Sequence, residues 1–235
     1  MVRPVQDAFD RQKQFVSDAS HELKTPLAVI SANAEVLQGD IGENEHLDYI
    51  LSEVRRTDRL VLNLLELARL DQNRKIALMG PTDLSKAVLE VTLPFESTAF
   101  EAGRTLGIRV PDGIWCIGNA DMLQQLVVIL LSNAVKYSNE GGEILLSLAA
   151  HEHRAELKVS NTGEQIPEED LKRIFDRFYR RDSAHSRDVE GFGLGLSLAD
   201  AIVKAHKGRI SVKSTESGET TFTVVLPGYD QKGNG

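Results

Sequence analysis

Two long amphipathic stretches, separated by a few turn-forming residues, limit what the first third of this 235-residue chain can become. From Ala8 to about Leu37, apolar residues recur at helical spacing, at Ala8, Phe9, Phe15, Val16, Ala19, Leu23, Leu27, Ile30, Ala34 and Leu37. Gly39-Asp40-Ile41-Gly42 reads as a turn. A second helix is expected from about Glu45 to Leu70, with Leu47, Ile50, Leu51, Val54, Leu60, Val61, Leu64, Leu65 and Ala68 spaced alternately by three and four. Two such helices form a hairpin with a wide apolar stripe left uncovered. The economical way to bury that stripe is against a second copy, giving a dimeric four-helix bundle. Packing on the rest of the same chain is the alternative.

Composition narrows the class of molecule. Hydrophobic residues make up 41% and charged residues 26%, ordinary values for a globular chain. A formal charge of -8 argues against general binding to nucleic acid, so any phosphate site must be local. The single cysteine, Cys116, beside Trp115, excludes an internal disulfide and reads as a small buried hydrophobe. The longest apolar run, Leu126 to Leu131, is far short of the roughly 20 residues a membrane helix needs. With no signal-like segment at the start, the chain is expected to be a cut-out of something longer.

Composition changes after Asp71-Gln72-Asn73. Met79-Gly80-Pro81 reads as a linker, before Thr82 or Asp83 caps a new helix. The pattern then predicts a helix from Leu84 to about Ala102, short strands around Ile108 and Ile114, and a helix from Asp121 to about Tyr137. Strands are expected at Glu143 to Ala149 and Ala155 to Asn161, a short helix at Glu168 to Phe175, and a helix from about Leu194 to His206 after a glycine-rich loop. Two strands, Arg209 to Ser214 and Thr220 to Leu226, complete the set. Alternating strands of this kind suit one mostly antiparallel sheet with helices on one face.

Several short segments carry chemistry. His21 stands beside Glu22 in the first helix; an imidazole can act as nucleophile and leaving group near neutral pH, and a carboxylate neighbour can fix its tautomer. Pro26 removes a backbone donor and should loosen the turn that carries both. Gly191-Phe192-Gly193-Leu194-Gly195-Leu196 opens a helix, so its backbone amides can approach an anion at a helix N-terminus. Asn133-Ala134-Val135-Lys136-Tyr137 offers an amide oxygen for a cation, an ammonium for phosphate and an aromatic face for a base. Asn161-Thr162-Gly163-Glu164-Gln165-Ile166 follows a strand, where an amide and an apolar side chain could read and sandwich a purine. Phe175-Asp176-Arg177-Phe178-Tyr179-Arg180-Arg181 sets aromatics beside three arginines, suited to a lid that neutralises phosphates.

In this order, these segments resemble the transmitter region of sensor histidine kinases. The phosphoacceptor motif stands here as Ser17-Asp18-Ala19-Ser20-His21-Glu22-Leu23-Lys24-Thr25-Pro26-Leu27, followed by the asparagine, first glycine, aromatic and second glycine boxes. Gly218 to Pro227 also looks like the family's final strand. The resemblance covers about Phe15 to Pro227 and implies an α+β architecture. A dimerising helical hairpin (1–78) and a linker (79–81) would precede an α/β-sandwich ATP-binding domain of Bergerat (GHKL-like) type (82–228), with 229–235 a tail. It implies ATP and Mg²⁺ as cofactors, a homodimer, and a response-regulator receiver domain as partner. It also implies residence in the cytoplasmic part of a sensor whose full length carries a membrane anchor.

The same resemblance assigns roles. His21 would take the phosphoryl group, with Glu22 orienting it and Thr25, one turn on, positioning a water for the reverse reaction on the partner. Asn133 would hold Mg²⁺, with Lys136, Arg177 and Arg180 on the phosphates. Tyr137, Asn161, Gly163 and Ile166 would seat adenine, and Gly191, Gly193, Leu194, Gly195 and Leu196 would form the phosphate loop and its hinge. The sequence departs from the family at Ile129, where a second asparagine is usual, at Asn161, usually an aspartate, and at Gln165, usually a glycine. The expected function is autophosphorylation of His21 and transfer to an aspartate. The alternative is a nucleotide-binding signalling module biased to phosphatase action, with its autokinase weakened by Ile129.

Overall fold

A computed structural model describes residues 25–42, 44–70, 79–180 and 192–229. His21, Glu22 and Gly191, and the turn that Pro26 was expected to loosen, lie outside the described residues. The chain divides into two compact units, Met1–Gln72 and Asn73–Gly235.

In the first unit, helix α1 spans 25–41 and α2 spans Glu45–Leu70. The second helix has the bounds the sequence suggested. The first runs through Gly39, Asp40 and Ile41, where the sequence predicts a turn. A glycine inside a helix costs only about 1 kcal/mol, so the helix continues until Gly42, whose N–H bonds the Gln38 carbonyl at 2.9 Å. Asn44 caps α2 by accepting from the His46 and Leu47 amides at 3.0 and 3.4 Å. Ala34, Leu47 and Leu51 form the buried contact between the helices, beside a 2.7 Å hydrogen bond from Gln38 Nε2 to Asp48 Oδ1. Ile30, Leu37, Ile50 and Leu64 remain exposed, an apolar stripe that the hairpin leaves uncovered.

The second unit is built on a five-stranded sheet in the order β2-β4-β5-β7-β6. Its strands are β2 (Thr105–Arg109), β4 (Glu143–His151), β5 (Arg154–Thr162), β6 (Arg209–Ser214) and β7 (Glu219–Pro227). Only β2 and β4 run parallel; the other pairs are antiparallel. Alternate residues of the central strands are buried, including Ile144, Leu146, Leu157, Val159, Phe222 and Val224. They share the core with Leu126, Leu130 and Leu131 of α4 (Ala120–Tyr137) and Leu198 and Ile202 of α6 (Gly195–Ala205). The opposite face carries polar pairs such as Lys158 Nζ to Glu156 Oε1 at 2.6 Å. This is the one-sided α/β sandwich that period-2 strands beside amphipathic helices dictate.

Three local elements differ from the sequence expectation. Gly80 and Pro81, read as the end of a linker, begin strand β1 (Gly80–Asp83), which pairs antiparallel with β3 (Trp115–Gly118). Four residues containing Gly and Pro give no period-2 signal, and only the partner strand makes them a ladder. Asp83 caps α3 (Leu84–Glu101), accepting from the Lys86 amide at 3.0 Å. The strand expected around Ile114 starts one residue later, because the Ile114 carbonyl accepts instead from the Leu84 amide at 2.8 Å. The helix expected to Phe175 is one turn, α5 (Glu168–Leu171). Beyond it the Tyr179 hydroxyl folds back onto Asp170 Oδ1 at 2.5 Å, holding 172–178 as successive turns.

Two buried groups show how the fold restrains titration. Burial pushes the Cys116 thiol up to about 11, so it stays protonated. His206, 3% exposed, closes α6 and ties it to the start of α4. Its Nδ1–H donates to the Ile202 carbonyl at 2.8 Å, while Nε2 accepts from the Asn119 amide at 3.1 Å. A charge here would lose that acceptor and sit at the positive end of α4. Burial accordingly holds the His206 pKa below its ordinary 6.5, with the two backbone hydrogen bonds acting in the opposite direction. The unfolded chain therefore binds the proton more readily. The resulting stability is present above pH 6.5 and is lost as pH falls through the folded value. The denaturant midpoint of the second unit should drop between about pH 7.5 and about pH 5.5, and His206→Gln should shrink that drop.

Candidate functional site

The end of α4, the end of β5, the turn at 178–180 and the start of α6 converge. Asn133, Lys136 and Tyr137 lie on the last turn and a half of α4. That helix leads directly into β5's far end, because Ser138 bridges Gly163. A Cβ on Gly163 would stand 2.3 Å from the Tyr137 carbonyl oxygen, so no larger residue fits while the two elements meet. The Ser138 hydroxyl donates to the Thr162 carbonyl at 3.0 Å, and the Gly163 amide donates to Gly218 at 2.7 Å.

The second glycine segment is held from two sides. Gly193 adopts φ +70°, and a Cβ there would come within 2.6 Å of the Tyr179 carbonyl oxygen. The Phe178 amide bonds the Gly193 carbonyl at 3.0 Å, which brings the segment carrying Arg177 and Arg180 against the loop. Leu194 is buried at 1% exposure and anchors the entry to α6, whereas Leu196 is half-buried. A Cβ on Gly195 would lie 3.5 Å from Ile129 Cγ2, so the start of α6 rests on α4 one turn before Asn133.

The donor set fits a nucleotide. Among the described residues no side chain caps the N-terminus of α6, which leaves its first-turn amides to an anion. Asn161 is 5% exposed as a residue, and its carboxamide, which takes no hydrogen bond from any described residue, keeps access to solvent, so a base edge can meet it. Ile166 is half-buried, its amide donating to Ser214 Oγ at 2.9 Å. The Tyr137 ring is 57% exposed, with Lys136 Nζ 5.1 Å from its centroid. Burial raises the Tyr137 hydroxyl pKa, and the nearby positive charge of Arg180 lowers it in part. The Tyr179 hydroxyl is raised chiefly by its hydrogen bond to Asp170, while the Arg173 guanidinium lies 4.6 Å from its ring centroid. Arg177 and Arg180 are exposed and border an open cleft with Asp170 and Arg173. Asn133 is half-buried and offers its amide oxygen to a cation. Thr25, at the first described position, is helical and exposed.

Residues 118–230 match the family model of the histidine kinase-, DNA gyrase B- and HSP90-like ATPases, and residues 11–73 match that of the His Kinase A phospho-acceptor domain. The chain belongs to the histidine kinase family. This transmitter region is 41% identical to the sensor protein DltS of Streptococcus agalactiae over 227 residues, covering 97% of the chain and 57% of the relative. It is 39% identical to CiaH of Streptococcus pneumoniae (96% and 51%) and 34% identical to the sensor histidine kinase CusS of Escherichia coli K12 (97% and 48%). The chain thus spans about half the length of the curated relatives it matches. Among solved structures, full-length ShkA in complex with AMPPNP shares the fold, with a TM-score of 0.77, 24% identity, and coverage of 92% of this chain and 46% of that one. The mycobacterial sensor histidine kinase MprB matches with a TM-score of 0.55 and 26% identity, over 65% of the transmitter and 100% of the solved MprB chain. The ATPase model alone spans histidine kinases, gyrase B and HSP90; the phospho-acceptor match is what points to the first of these.

Sequence reasoning missed two residues beside the site. Arg104 donates to the Ser138 carbonyl from Nη2 at 2.9 Å and from Nε at 3.3 Å, clamping the joint between α4 and β5. Nothing in its local pattern announces this, since the partner lies 34 positions away. Thr220, 4% exposed, is the cross-strand partner of Asn161 and shares a 2.9 Å hydroxyl contact with Ser214. Its signal was a hydroxyl at an inward strand position. Gly163→Ala should cost about 2 kcal/mol or more, the range of changes that force backbone apart, and weaken nucleotide binding. Denaturant unfolding and nucleotide titration of the variant measure both effects.

Proposed function

We propose that the transmitter binds ATP in the second unit, phosphorylates His21, and passes the phosphoryl group to an aspartate on a response-regulator receiver domain. The observation that carries this reading is the convergence of Asn161, whose carboxamide no described residue hydrogen-bonds, the Asn133 helix end and the start of α6, which no described side chain caps. The family of its two domains supports the same pairing of donor and acceptor.

Each residue has a role that its chemistry suits. Asn161 and Thr220 meet the base edge, Ile166 and Tyr137 its faces, and Gly163 lets the chain pass close behind. The amides of Gly193, Gly195 and Leu196 take phosphate oxygens, with Leu194 as the anchor and Gly191 completing the loop. Lys136, Arg177 and Arg180 oppose charge that grows on the phosphates during transfer. Asn133 would hold Mg²⁺, and the bound ion would neutralise phosphate charge. Glu22 accepts the proton of one His21 ring nitrogen, leaving the other to form the N–P bond as the bond from phosphorus to the ADP oxygen breaks. Thr25 positions water for removing phosphate from the partner.

The exposed stripe at Ile30, Leu37, Ile50 and Leu64 supports dimerisation through the hairpin. The chain spans about half the length of its sensor relatives, which supports anchoring by other parts of a full-length sensor. A second reading, a phosphatase-biased module with weak autokinase, draws on Ile129, whose methyl group occupies the approach to α6 where an amide would assist the metal.

Incubation with γ-labelled ATP and Mg²⁺ tests the proposal. The expected result is acid-labile, base-stable label on the protein that disappears in His21→Ala. Nucleotide bound without any such label would favour the second reading, and Ile129→Asn should then raise labelling.

A further inference from the structure

We propose that the base pocket accepts guanine as well as adenine, so that GTP is a ligand of this site alongside ATP. The inference rests on the nucleotide-binding reading and concerns which purines that site admits. Asn161 lies at the inner end of β5, 95% removed from solvent by its 5% exposure, with no described residue hydrogen-bonding its carboxamide. An amide without a fixed partner can present either end. Turned one way, its oxygen accepts from the adenine amino group while its nitrogen donates to ring N1. Turned the other way, the nitrogen donates to guanine O6 while the oxygen accepts from guanine N1–H. Both are paired contacts of equal number. A carboxylate can only accept: held opposite N1 and the 6-position it would set two acceptors face to face at guanine O6, and only a base shifted sideways to offer N1–H and N2–H₂ would suit it.

The neighbouring group is equally two-sided. Thr220 is the partner of Asn161 across β5 and β7, so both side chains share one face of the sheet. Its hydroxyl contacts Ser214 Oγ at 2.9 Å, and either atom can be the donor. Ser214 Oγ already accepts from the Ile166 amide at 2.9 Å. When Ser214 donates to Thr220, the Thr220 proton is free to donate onward. When Thr220 donates to Ser214, its lone pairs are free to accept. Neither polar group at this end of the sheet is restricted to one hydrogen-bonding sense, so neither excludes a purine by that sense.

Competition against a bound fluorescent ATP analogue, with MgATP and MgGTP as the displacing ligands, tests the inference on the unmodified chain. Sites that leave a buried polar group unpaired reject the wrong ligand by many orders of magnitude, so dissociation constants for the two nucleotides within about thirtyfold are expected. Asn161→Asp should raise the preference for ATP by about tenfold or more, through weaker GTP binding. Wild-type protein that binds ATP but disfavours GTP by more than that thirtyfold margin overturns the inference and leaves the nucleotide reading intact. An unchanged preference in a folded Asn161→Asp protein also overturns it. Binding of neither nucleotide overturns both.

Discussion

The contact between the end of α4 and the end of β5 sets the geometry of the second unit's functional edge. Ser138 bridges Gly163, and the Tyr137 carbonyl lies where a side chain on Gly163 would otherwise stand. Because this contact is backbone against backbone, it fixes position far more tightly than side-chain packing could. Arg104 on one side and Thr162 on the other hold Ser138 in place. Tyr137 and Lys136 are thereby delivered beside Asn161, although 24 residues separate the two strand-end partners Ser138 and Thr162.

The start of α6 is placed by a second, independent restraint at its opposite end. His206 joins the last turn of α6 to the first residues of α4, and Gly118 leaves room for the imidazole, since a Cβ there would come within 2.9 Å of its ring. Two helices clamped at this end can present their other ends together. Gly195 against Ile129 is the visible result. A neutral histidine suits this task because it donates at one nitrogen and accepts at the other, matching one carbonyl and one amide.

Much of this was legible in the sequence, for reasons that differ by element. The bounds of α2, the core face of α4 and the strands at 143–161 and 209–226 follow from strong periodicity, which reports burial directly. The glycine and asparagine segments were legible because chemistry restricts which residues can occupy them. Strand β1 was not, since a four-residue ladder through Gly80 and Pro81 depends on a partner more than 30 positions away. The short α5 was missed because Tyr179 draws the chain back onto Asp170, a contact no local pattern encodes. The role of His206 is not legible in the sequence for the same reason: it lies in Asn119, 87 positions earlier.

The proposed nucleotide site is one edge of the second unit, made by the ends of α4 and β5 and the start of α6. Amide chemical-shift mapping on addition of a magnesium complex of a non-hydrolysable ATP analogue tests it most directly. The shifts are expected to concentrate at residues 129–138, 161–166 and 193–197. Shifts confined to the open polar face of the sheet, around Lys158 and Ser211, with those three segments unmoved, would contradict it.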